Sequence, residues 1–167
     1  MIELEIVGVR VEMPSNQPLV LLKEIAGVRH LPIWIGTAEA TAIALAQQGV
    51  VPPRPLTHDL LCSVVTALGR RVASVTLTAV EDGVFYAQLT FDDGTVVGSR
   101  ASDALAIALR AGCTIWCAPE VLEDAGVQVT DHDENDPDAI DSPEAEEREL
   151  RRFREFLNEV EPEDFDK

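Results

Sequence analysis

Apolar and polar residues alternate over Ile2–Met13 (Ile2, Leu4, Ile6), and the pattern then turns apolar on both sides, as in a strand entering a core. Turn chemistry at Pro14–Pro18 leads to a second strand at Leu19–Glu24, and Ala26-Gly27 to a third at His30–Ile35. His30 falls where a hairpin rim leaves a side chain partly exposed. The period then changes. Gly36-Thr37 breaks the strand, Thr37 is placed to cap a helix, and the small face Ala38, Ala42, Leu45, Ala46 suits close approach of another backbone. Gly49 stops that helix, and the proline-rich Val50–Pro55 reads as extended and stiff. Thr57 is placed to cap a second helix over His58–Leu68, with Leu60, Leu61, Val64, Val65 and Leu68 giving its apolar face.

Arg70–Val80 and Val84–Phe91 read as a hairpin around Glu81-Asp82-Gly83, followed by a strand at Thr95–Arg100. Ser102 is placed to cap a helix through Ala111, and a short buried strand at Thr114–Cys117 and a short helix at Pro119–Ala125 follow. EATAIALA at Glu39–Ala46 aligns with DALAIALR at Asp103–Arg110 at an offset of 64 residues, each copy preceded by three strands. The predicted architecture is one α/β (α+β) domain over 1–129, with a mixed or antiparallel sheet and duplicated strand-strand-strand-helix units. An acidic linker over 130–142 and a helical tail over 143–167 complete the chain. In the tail, Leu150, Phe153, Leu157 and Val160 form an apolar stripe that predicts a helix docking on the domain, on a second subunit or on a protein partner.

The net charge of −17 is uneven: residues 1–127 carry 14 acidic against 8 basic side chains, and residues 128–167 carry 16 against 5. A polyanion such as DNA or RNA is not drawn to such a chain by phosphate neutralisation, which counts against tight nucleic-acid binding more than against turnover. The acidic run Gln128–Ser142, including His132, reads as a solvated linker. Cys62, Cys113 and Cys117 have no metal-type spacing and read as small buried hydrophobes in a reducing compartment. No apolar run is long enough to span a bilayer, and the first residues alternate like a strand instead of forming a signal peptide, so a cytoplasmic protein without membrane association is expected.

Candidate chemistry gathers at helix starts. Glu39, Asp59 and Asp103 are potential oxygen ligands for Mg²⁺ or Mn²⁺, His58 a base for water, and Arg54 or Arg100 a phosphate contact. The same carboxylates equally suit helix dipoles, each worth about 0.3–1 kcal/mol, with Arg54 pairing one of them and His58 packed on its loop. GxSxG, GxGxxG, P-loop, HExxH and EF-hand patterns are all missing from the sequence.

HLPIWIGTAEATAIALA, PPRPLTHDLL and SRASDALAIALRAG together resemble the bifunctional nuclease (BFN) domain family, over about Ile2–Val129. The FREFLNEVEPEDF ending resembles a tail of bacterial members. The resemblance implies a compact, oligomeric α/β domain with nuclease activity on DNA and RNA. By position, the family-like polar residues are Glu39, Arg54, Thr57, His58, Asp59, Arg100, Ser102 and Asp103. The family's DARPSDA run is replaced here by Gly98-Ser-Arg-Ala-Ser-Asp-Ala104, so an acidic position becomes Gly98 and a proline becomes Ala101. Two readings follow. One is a metal-dependent nuclease using Glu39, His58, Asp59 and Asp103 with Arg54 and Arg100. The other is a non-catalytic regulatory or interaction module. The small helix faces add the expectation of a homodimer.

Overall fold

Two three-stranded antiparallel meanders, each opening outward from the middle of one sheet, dominate the computed structural model, which describes residues 1–128. The first comprises β1 (Ile2–Glu12), β2 (Gln17–Glu24) and β3 (Arg29–Trp34), and the second β4 (Val72–Glu81), β5 (Val84–Phe91) and β6 (Val96–Arg100). Between them lies β7 (Thr114–Cys117), antiparallel to β1 and parallel to β4. The two-residue β8 (Val127–Gln128) pairs with β3, giving the order β6-β5-β4-β7-β1-β2-β3-β8. At the β4–β5 turn Asp82 and Gly83 both take positive φ (50° and 78°), the backbone that a tight hairpin needs to match strand twist.

Each meander runs into an alanine-rich helix, α1 (Thr37–Gln47) after β3 and α3 (Ala101–Ala111) after β6. The architecture is the mixed α+β domain expected, with the strand-strand-strand-helix order occurring twice. Small side chains explain how the two helices meet. Ala40 and Ala42 of α1 and Ala104, Ala106 and Ala108 of α3 are buried, and the helices pack on each other. Because α3 also packs on β4, β5 and β6, it is apolar nearly all round, with Leu105 and Ile107 fully buried. It ends at Gly112, whose φ of 63° is the left-handed geometry favoured by glycine after a helix. The short α4 (Pro119–Ala125) buries Val121 and Leu122 and packs on β4 and β3.

The helix α2 (Thr57–Ala67) carries the apolar face that the sequence marks, but it buries no residue, and Leu60, Leu61, Val64 and Leu68 of that face are exposed. Its main packing is against α3, and α3's own apolar surface is already shared among α1 and the sheet. The linker 130–142 and the tail with its 150–160 stripe lie outside the described residues. Among the described residues no helix is long and apolar enough to cross a membrane.

This division of labour predicts unequal costs of truncation. Leu105→Ala should lower unfolding stability in urea by about 2–5 kcal/mol, as for a buried leucine leaving a cavity. Leu68→Ala, at a side chain 75% exposed, should change it by no more than about 0.5 kcal/mol. A cost of 2 kcal/mol or more at Leu68 would show that α2 is covered in solution.

Candidate functional site

α1, α2 and α3 bring their polar residues together along α3. Arg100, at the end of β6 and the N-cap of α3, points its guanidinium at two helices. Its Nε donates to Asp103 Oδ2 at 2.7 Å and its Nη2 to Glu39 Oε1 at 2.6 Å. Asp103 Oδ1 lies 2.9 Å from His58 Nε2, so Glu39, Arg100, Asp103 and His58 form one hydrogen-bonded chain across three helices. With Nε2–H donating to the carboxylate, His58 carries its basic lone pair on Nδ1. Burial alone would push the Asp103 carboxyl up, but the hydrogen bonds from Arg100 and His58 outweigh it and hold the group below the ordinary carboxylate range. The same two carboxylates raise Arg100 further above the ordinary guanidinium value, Asp103 first and Glu39 second.

Asp59 belongs to a second clasp. Arg110, in the last turn of α3 and with its side chain 10% exposed, donates from Nε to Asp59 Oδ1 at 2.6 Å. Its Nη2 reaches Ala42 O of α1 at 3.1 Å and its Nη1 reaches Ala106 O at 2.9 Å. Asp59 Oδ2 also accepts from the Leu56 N–H at the start of α2. Arg110 first and this backbone bond second depress the Asp59 carboxyl. The helices therefore start at Thr37, Thr57 and Ala101, with Gly36, Leu56 and Arg100 as N-caps and no side-chain cap bond, so Thr37, Thr57 and Ser102 sit within the first turn rather than capping.

The six residues singled out from sequence thus divide into three groups. Glu39, His58, Arg100 and Asp103 are brought together, Asp59 is engaged separately by Arg110, and Arg54 is exposed outside both clasps. Each carboxylate already faces a guanidinium, and among the described residues no group of three or more His, Cys, Asp or Glu is placed to hold a metal ion. As arranged, Glu39, Asp59 and Asp103 do not fit a shared Mg²⁺ or Mn²⁺, and no chemical step below runs through one. His30, of the sheet rim, leaves its buried Nδ1 without a hydrogen-bond partner among the described residues. Cys62 and Cys113 are half-buried rather than core residues, and burial raises all three thiols, that of Cys117 to about 11.

Beside the first clasp opens a cleft of about 440 Å³, enclosed by α2, β5, β6 and α3. Leu61 and Val65 of α2, Leu89 and Phe91 of β5, Val97 of β6 and Ile107 of α3 make it apolar, and Thr57, His58, Ser99, Arg100 and Asp103 give it a polar part. Two features went unread in the sequence, Arg110 and the cleft. Arg110 was readable, because it stands seven residues after Asp103 on one helix face, in the last turn where a cation is favoured. The cleft was not, because it depends on α2 standing away from the sheet.

A family model described as the bifunctional nuclease domain matches residues 20–130. Two proteins of Mycobacterium tuberculosis, one from each of two strains and both named only as uncharacterized, are 49% identical to the chain over 163 residues, covering 98% of it and 97% of each relative.

The Arg110 clasp sets an acid limit. The depressed Asp59 and Asp103 stabilise the native state fully above the unfolded carboxylate value, near pH 4, and that contribution is lost as pH falls through the lower native values. Urea midpoints between pH 6 and pH 2.5 should fall with acidity, and Asp59→Asn should make the fall shallower. Arg110→Ala should cost about 1–3 kcal/mol at pH 7 by leaving Asp59 and the Ala42 carbonyl unpaired. Unchanged stability of Arg110→Ala would contradict the clasp.

Proposed function

The chain belongs to the bifunctional nuclease domain family, and from that membership and the site geometry we propose that it hydrolyses phosphodiester bonds in DNA and RNA. The observation that carries this reading is the chain from Arg100 through Asp103 to His58 at the polar part of the cleft. His58 Nδ1 takes a proton from the attacking water as its oxygen bonds to phosphorus. Asp103 holds Nε2–H, keeps the ring in that tautomer and stabilises the imidazolium that forms. Arg100 spends Nε and Nη2 on its two carboxylates and retains Nη1 for a non-bridging phosphate oxygen, its side chain being 67% exposed. The ester P–O bond then breaks, and the departing oxygen takes a proton from solvent. Glu39 acts as a positioning residue by fixing the guanidinium.

Exposed Leu60, Leu61, Val64 and Leu68 support a second reading, a non-catalytic interaction module that docks a second copy of this chain as a homodimer. No charged side chain occurs between Leu60 and Gly69, so this is a face on which two acidic chains meet without direct charge opposition. Under this reading, Leu60→Glu/Val64→Glu should convert a dimer to a monomer in sedimentation equilibrium at micromolar concentration. A wild-type protein that is monomeric under those conditions removes it.

The test of hydrolysis is cleavage of single-stranded DNA and RNA by purified protein, with chelator, Mg²⁺ and Mn²⁺ arms. His58→Ala should lower the rate by about 10²–10⁴-fold with the fold retained. Arg100→Lys should lower kcat/KM as well, because an ammonium cannot hold two carboxylates and a phosphate in one plane. Absence of cleavage in every arm, or full activity in His58→Ala, would overturn the assignment.

A further inference from the structure

We propose that the cleft beside α2 receives one unstacked nucleobase, with its attached phosphate on Arg100, so that the preferred substrate is a single strand of DNA or RNA. This rests on the phosphodiesterase reading above. The cleft's volume of about 440 Å³ lies in the range of small-molecule sites, and its polarity is divided. Val72, Leu89 and Ile107 form a buried apolar floor, and Phe91 offers a half-buried aromatic ring. The ionisable side chains of the polar cluster lining it are His58, Arg100 and Asp103, joined by hydrogen bonds. A flat apolar body joined to one anionic group matches that division.

Charge narrows the choice further. Residues 1–127 carry 14 acidic against 8 basic side chains, so a duplex, which presents chiefly its phosphates, meets net repulsion. Affinity for a nucleic acid must then come from burying a base, and a base inside a duplex stack reaches a cleft only after being flipped out. β6 is an edge strand among the described residues, so one side of its backbone offers N–H and C=O groups beside the cleft for the polar rim of a base.

Val97 allows a test that leaves the clasps untouched. It lines the cleft, pairs with Leu89 on the sheet face that α3 covers, and is 46% exposed. Val97→Gln puts a longer, uncharged polar chain into the opening in place of an apolar wall, and Val97→Ile is the conservative control. Binding is measured in chelator by fluorescence anisotropy for three probes of equal length: oligothymidylate, a fully abasic tetrahydrofuran strand, and a duplex. The wild type and Val97→Ile should bind oligothymidylate about tenfold more tightly than the other two, and Val97→Gln, with an unchanged melting temperature, should lose that advantage. Equal affinity for all three probes, or an advantage that survives Val97→Gln, overturns the proposal. Should Val97→Gln fail to fold, adenosine monophosphate and ribose 5-phosphate binding to the wild type decide instead: selective chemical-shift changes at Leu61, Val65 and Val97 with the nucleotide support the cleft, and their absence overturns it. Base-dependent binding without hydrolysis would refute only the phosphodiesterase reading. Hydrolysis without base discrimination would refute only the cleft.

Discussion

Arg100 and Arg110 stand at opposite ends of α3, and each ties a carboxylate of a neighbouring helix to it: Glu39 of α1 and Asp59 of α2. Most elements of the fold are positioned by apolar burial, but α2 buries no residue fully and offers the core little more than the half-buried Cys62 and Val65. Its place relative to α3 depends on the Asp59–Arg110 and His58–Asp103 contacts. Such pairs contribute less energy than a buried leucine, yet they are directional. They fix where His58 points, and they leave space between α2 and the sheet that a fully collapsed helix would fill.

The clasps also reconcile an acidic chain with a phosphate-directed site. Glu39 and Asp103 would repel a phosphate if they stood alone, but each is paired with Arg100, whose side chain stays 67% exposed. Net charge gives no long-range steering to a polyanion. Under the proposed hydrolysis, recognition would fall on the apolar cleft, and turnover on one imidazole and one guanidinium.

Strand order within each meander, both alanine-rich helices and their recurrence were legible because they rest on local periodicity and turn chemistry. The insertion of β7 between the meanders was not, since four residues carry no information about their partners. Glu39, His58, Arg100 and Asp103 were identified by their positions at or beside helix starts, and Glu39 and Asp103 also occupy matching positions in the repeat. Asp59 is adjacent to His58 in sequence yet bonds a different arginine, because successive residues on a helix point about 100° apart. The apolar stripe of α2 was legible too, but amphipathic spacing reports that a face is apolar, and not whether the chain covers it.

The central claim is that His58 and Asp103 act as one unit in phosphodiester cleavage, and a double-mutant cycle on kcat/KM tests it most directly. His58→Ala, Asp103→Asn and the double variant would be assayed on one single-stranded oligonucleotide. If Asp103 works through His58, the double variant falls no lower than His58→Ala alone. Losses that multiply in the double variant would show that the two residues act independently, and would contradict the account.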